Sequence, residues 1–188
     1  MKKNRILSAL NRFAISLIRY KAMMIIAFLG VILSLLTLSS TQAADDVIIR
    51  HPIPGSSFPI ARAVEIPPSV QQVYLSGQVP PVVDDTVDKR TITAFGDTKT
   101  QTVGVLKRIQ SILEDLDLTL GDVVKMQVFL VGDPEMDNRL DFKGFMEGYT
   151  QFFGTQDQPR LPARSVMQVA GLANPGWLVE IEVTAVRL

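Results

Sequence analysis

A chain of 188 residues with one histidine, His51, and no cysteine is long enough for one domain with a substantial core and too short for two. Thiol catalysis and cysteine metal sites are excluded, and a Ser-His-Asp triad or a multi-histidine metal site nearly so. The formal charge is zero, but residues 1–43 hold six cations and no acid, leaving 13 cations against all 19 acids elsewhere, a net charge of −6. A mildly acidic domain repels nucleic-acid phosphate, which argues against a nucleic-acid partner. Chemistry then falls to Arg, Lys, Glu, Asp, Tyr, backbone groups or bound water, with His51 expected in a surface loop.

The basic stretch precedes "AMMIIAFLGVILSLLTL" (Ala22–Leu38), which carries no charge, and "SSTQAADD" follows. A positive n-region, an apolar h-region and the small pair Thr41 and Ala43 have the order of a secretory signal peptide over 1–43. Cleavage is expected after Ala43, with Ala44 the next choice. Seventeen residues nearly span a bilayer, so the alternative is an uncleaved N-terminal anchor. Either way the flanking charges place residues 44–188 outside the cytoplasm, periplasmic or secreted.

Residues 45–70 carry a Pro/Gly-punctuated loop between two short expected strands, Val47–Arg50 and Ala63–Ile66. "QQVYLSGQVP" predicts a strand from Gln72 to about Gln78, and "PVVDDTVDKRTITAFG" a polar loop. At Thr102, Val105, Leu106, Ile109, Ile112, Leu113 and Leu116 the period becomes helical, with Asp97 or Thr98 as the cap. "VVKMQVFLV" alternates as a strand with Val124, Met126, Val128 and Leu130 on one face. A second helix is expected from about Asp137, its apolar side formed by Phe142, Phe145, Met146, Tyr149, Phe152 and Phe153 and its C-cap by Gly154. Two strands close the chain, Ala163–Ala170 and Trp177–Arg187, read as an antiparallel pair turned at Asn174–Gly176.

The order β-β-β-α-β-α-β-β implies an α+β two-layer sandwich, a mixed sheet with two helices on one face. Apolar residues on both sides of the strands leave the other sheet face uncovered, and oligomerisation through it is the natural expectation.

Few residues stand out chemically. Arg164 lies in the strand "PARSVMQVAG", where the default is a snorkelling side chain. Glu180 and Glu182 alternate with Val179, Ile181 and Val183, as on a half-solvated strand. With the last two strands paired, Arg164 falls opposite about Arg187, so Arg164 and Glu180 would meet only by a bend or across a subunit boundary. Ser76, Gly77 and Gln78 end a strand with two neutral donors and room for close backbone approach. The aspartates at 84, 85 and 88 lack an EF-hand spacing, and the helix stripes read as core.

Taken in order, "YLSGQVP", "TQTVGVLKRIQSILEDLDLTLGDVVKMQVFL", "FMEGYTQFFG", "PARSVMQVAGL" and "VEIEVTAV" resemble the Rid/YjgF family of enamine/imine deaminases, whose older name is L-PSP endoribonuclease. The resemblance covers Ser56 to the C-terminus. It implies a chorismate-mutase-like domain forming a homotrimer with a central barrel and sites between subunits. It further implies that Arg164 binds the substrate carboxylate, that Glu180 positions or activates water, and that Ser76, Gly77 and the backbone at Val166 line the pocket. The implied reaction hydrolyses 2-aminoacrylate-like 2-imino acids to 2-keto acids and ammonia without metal or organic cofactor, with no nucleic-acid partner and no membrane contact beyond the N-terminal segment. Two positions depart from the family pattern. "FPIARAVEI" lacks the tyrosine of the family's "PIGPYSQAV", and Met146 stands where the family has asparagine. A non-catalytic trimer that binds small carboxylates at the same cleft is the alternative reading.

Overall fold

Each helix starts at an aspartate that accepts from one of the free amide groups of its first turn. Asp97 accepts from the Thr100 amide at 2.8 Å and Asp141 from the Gly144 amide at 2.8 Å, the usual N-cap arrangement. A computed structural model describes residues 48–188, within a compact unit from Asp46 to Leu188. The segment expected to be a signal peptide or anchor, and its cleavage site, lie outside the described residues.

The elements are β1 (Ile49–Pro52), β2 (Ala61–Glu65), β3 (Gln71–Gln78), α1 (Thr98–Asp115), β4 (Val123–Val131), α2 (Phe142–Tyr149), β5 (Ala163–Val169) and β6 (Val179–Arg187). Short 3₁₀ turns lie at Ile92–Ala94, Leu120–Asp122 and Pro134–Met136. This is an α+β fold with two helices and a mixed six-stranded sheet in the order β1-β2-β5-β4-β6-β3. Val105, Leu106, Ile109 and Leu113 of α1 and Phe145 and Tyr149 of α2 pack against Met126, Val128, Leu130, Val179, Ile181 and Val183 of the sheet. Gln101, fully buried on α1, donates to the Gly96 and Gly176 carbonyls and accepts from the Leu178 amide. It thereby ties the start of β6 to the helix layer with every polar group of its amide used.

The expected pairing of the last two strands does not form. β4 lies between them, parallel to β5 and antiparallel to β6. The Asn174–Gly176 turn mimics a hairpin signal, but nine residues, 170–178, connect the strands, enough to step across one strand at roughly 5 Å per neighbour. β4 takes the centre because it is the most apolar strand, with Val123, Val124, Met126, Val128 and Leu130 all buried. β5, with Ser165, Met167 and Gln168 exposed, sits further out.

Other expectations shift for local reasons. A bulge between Val123 and Lys125 puts Val123, not Val124, on the face of Met126, while Val124 joins Val70 and Val186 in a second small cluster on the far side. The second helix begins at Phe142 rather than Asp137, because Asp137 and Asn138 adopt left-handed backbone (φ 54 and 55). Its cap is Thr150; Gly154 does hold a positive φ of 76, but in the turn beyond. His51 lies on β1 rather than in a loop, 2.6 Å from the Glu65 carboxylate.

The helix-free face is more polar than expected. Val64 and Ile66 fold over one end of it against Val70, Val124 and Val186. Tyr74, Gln127, Phe129, Ser165, Met167, Glu180, Glu182 and Thr184 occupy the rest, with Tyr74 74% exposed.

Replacing Asp97 by Ala is expected to lower stability by about 1 kcal/mol in urea unfolding at pH 7. Its hydrogen bonds with Thr100 hold the Asp97 carboxyl below its ordinary value, so the stabilisation is present above the usual carboxylate range and fades as the pH falls through it. The gap between wild type and variant should therefore close in acid. A gap unchanged by pH would contradict the cap.

Candidate functional site

On β5, alternation turns Arg164 and Val166 toward the helices and Ser165 and Met167 away. Arg164 pairs with Met126, a fully buried core residue, and its guanidinium enters a cage of rings. Its central carbon lies 4.1 Å from the Tyr149 centroid, 5.0 Å from Phe145 and 5.6 Å from Phe58. Tyr149 and Phe145 share one face of α2, four residues apart. Phe58 comes from the loop between β1 and β2 and stacks on Phe142 at 6.5 Å.

The cage satisfies little of the guanidinium's hydrogen bonding. Nη2 donates to Met146 Sδ at 3.2 Å, a weak acceptor, and Nη1 is buried with no partner. No described ion pair involves Arg164. Burial lowers its pKa, opposed by Tyr149, yet an arginine stays cationic at physiological pH. Burial pushes the Tyr149 phenol up to about 12, with the Arg164 charge opposing. Tyr149 is therefore neutral, and its hydroxyl donates to the Pro59 carbonyl at 2.9 Å.

Desolvating an ion costs several kcal/mol, and a close cation–π contact offsets about 2 kcal/mol of that. An unmet buried donor adds about 1–3 kcal/mol. A carboxylate is what this arrangement lacks. The planar fork of arginine matches such an anion with two parallel hydrogen bonds.

The remaining candidate residues assemble elsewhere. Glu180 pairs with Phe129 and faces away from the helices. Between Leu75 and Gln78 the register of β3 against β6 slips by one residue, and Gly77 in this bulge lies under the Glu180 carboxylate. A Cβ on Gly77 would overlap that carboxylate, 2.9 Å from its Cδ. Ser76, beside it, lines a cleft of about 320 Å³ with Tyr74, Lys125, Gln127 and Glu182. Val166 is half-buried against the main core. The structure thus joins Gly77, Ser76 and Glu180 in one place and Arg164 and Val166 in another. The two groups lie on opposite sheet faces, three residues apart along β4, since Arg164 pairs with Met126 and Glu180 with Phe129.

Residues 57–187 match the family model described as Endoribonuclease L-PSP. The chain belongs to this family, known also as RutC, YjgF or Rid. Among family members, a RutC family protein of Haemophilus influenzae is 31% identical over 141 residues, covering 75% of this chain and 96% of that protein. The 2-iminobutanoate/2-iminopropanoate deaminase of Salmonella typhimurium is 31% identical over 134 residues, covering 71% of this chain and 91% of its own. In fold, YyfB of Yersinia pestis, a protein of the conserved Rid family, superposes with a TM-score of 0.54 at 24% identity over 74% of this chain and 96% of that one.

Set against the family pattern, the segment that lacks the tyrosine contributes Phe58, which covers the guanidinium, and Met146 offers it a thioether. Phe145 and Tyr149 were not legible as site residues, because an aromatic stripe at helical spacing is indistinguishable from core, and Phe58 lies in a loop that carries no periodic signal. The one available signal was an arginine in a strand with no acid placed to neutralise it.

The folded state holds the Tyr149 proton more tightly than the unfolded chain, whose ordinary value is 10. Its contribution to stability is complete below pH 10 and is lost as the pH rises through about 12. Absorbance titration should show one tyrosine ionising near pH 12, absent from Tyr149→Phe, with urea stability falling over the same window. Ionisation of Tyr149 at its ordinary value would contradict the cage.

Proposed function

We propose that this protein hydrolyses small 2-imino acids and their enamine tautomers to 2-keto acids and ammonia, in sites formed between copies of a homotrimer and located outside the cytoplasm. The observation that carries the reading is the buried Arg164 guanidinium with an unpaired Nη1 and no acid beside it. A deaminase of iminobutanoate and iminopropanoate among the family relatives supports the same class of chemistry.

Arg164 clamps the carboxylate, which fixes the adjacent iminium carbon for attack. Glu180, supplied by the neighbouring copy, takes a proton from the water as its oxygen bonds to that carbon. The carbinolamine then collapses: Glu180 returns its proton to the nitrogen, the C–N bond breaks with its electron pair leaving on nitrogen as ammonia, and the carbinol O–H passes its proton to that ammonia as the C=O forms, giving ammonium and the keto acid. Water is the only co-reactant, so no redox or electron-sink group is required. Ser76 and Gly77 shape the floor beneath Glu180, and the backbone at Val166 the wall beside Arg164. The uncovered sheet face supports assembly, and the basic-then-apolar order of residues 1–38 supports export.

The test generates imino acids with an amino-acid oxidase and follows their hydrolysis by the purified protein. Arg164→Ala should lower kcat/KM by at least about 30-fold, the loss expected on removing one member of a buried charged pair. Glu180→Gln should lower kcat with little change in KM. Gly77→Ala, which pushes the carboxylate aside, should resemble Glu180→Gln. No acceleration by wild type on any of several imines would refute the enzyme, and full activity of Arg164→Ala would refute the clamp.

A further inference from the structure

The walls of the Arg164 cage are not equally fixed. Tyr149 and Phe145 are fully buried on α2 with centroids 5.7 Å apart, and Phe153 stacks on Tyr149 at 5.0 Å. The Tyr149 hydroxyl is also tied to the Pro59 carbonyl. Displacing either ring would open a close-packed core. Met146 is half-buried, and moving it breaks the hydrogen bond from Nη2. Phe58 differs. It lies in the loop between β1 and β2 and is 39% exposed, and its stacking partner Phe142, at the first position of α2, is 41% exposed.

The loop backbone is held on both sides of this ring. The Ser56 amide donates to the Ile53 carbonyl, and the Ser56 hydroxyl accepts from the Phe58 amide at 3.1 Å. Beyond the ring, the Ile60 amide donates to the Phe58 carbonyl at 2.8 Å, and Pro59 is held by Tyr149. The ring itself is tied by weaker contacts, with Phe142 at 6.5 Å and with the guanidinium at 5.6 Å. A ring on a fixed backbone with a free outer side moves by rotating about its own side-chain bonds. The burial of Nη1 requires such a motion, because a carboxylate cannot pair with a donor that solvent does not reach.

Resting on the reading of Arg164 as a carboxylate clamp, we propose that the Phe58 ring is a gate. It swings off the guanidinium to admit the acid and returns over it, excluding water from the new ion pair. Charges paired away from water attract more strongly, so the returning ring tightens the clamp that it first obstructs.

Arginine modification by 2,3-butanedione on the full chain, read residue by residue by peptide mass spectrometry, tests this. The rate at Arg164 scales with the fraction of time the ring is away, and a minor open state holds at most about a tenth of the molecules. Arg164 should therefore react at least about tenfold faster in Phe58→Ala than in wild type, with Phe58→Leu between them. Arg50, which donates to three carbonyls, should stay slow in every variant, and exposed Arg139 fast in every variant. Added 2-oxobutanoate should protect Arg164 in wild type and in Phe58→Ala. An Arg164 rate unchanged by Phe58→Ala would overturn the gate alone. So would a parallel rise at Arg50, the sign of a loosened fold, or an equal rise produced by Met146→Ala. Protection absent from both proteins would overturn the clamp, and with it the acid as the gate's ligand.

Discussion

Strand β4 is buried along one face and paired on both edges, and its position between β5 and β6 decides where the charges of the site can act. Arg164 is held on one side of the sheet and Glu180 on the other, offset by three residues of β4. A side chain cannot cross a pleated sheet, so within one chain the two do not share a substrate. The same placement makes β5 an inner strand whose helix-facing side chains enter the aromatic layer of α2. A cation on that strand must enter the core, and Arg164 does.

That cation explains why the aromatic layer is arranged as it is. Tyr149 lies face-on to the guanidinium, kept neutral by its burial, while Phe58 closes the cage from a proline-flanked loop. Comparison with Arg50 is instructive. Arg50 is also desolvated, but it donates to the carbonyls of Val123, Leu161 and Gly121 at 2.7–2.9 Å. It fastens β1 to the end of β4 and leaves nothing for a ligand. Arg164 has a thioether and an unmet donor instead. A buried arginine can be structural cement or a receptor, and the acceptors around it tell which.

Much of this fold could be read in advance. The period change at Thr102 and the alternation of "VEIEVTAV" located α1 and β6, because those patterns are local. The pairing of β5 with β4 was not legible, since Asn174-Pro175-Gly176 carries a hairpin signal and only the competition for the sheet centre cancels it. The bulge that turns Val124 outward is invisible for the same reason: alternation assumes an unbroken ladder. At the site, Arg164, Glu180, Ser76, Gly77 and Val166 came from motif resemblance, and the structure adds that Gly77 must be glycine where the Glu180 carboxylate rests. Phe145 and Tyr149 were hidden inside an ordinary core stripe, and Phe58 stood in a loop that no periodicity ties to Arg164.

If Arg164 and Glu180 belong to different copies, two inactive variants should repair each other. Arg164→Ala and Glu180→Gln proteins, unfolded together and refolded as a one-to-one mixture, form interfaces at random. About a quarter of these interfaces join an intact Arg164 to an intact Glu180 in a closed ring. Imine hydrolysis should recover to roughly that fraction of wild type. A mixture as inactive as either variant alone, under conditions where wild type refolds to full activity, would contradict a site shared between copies.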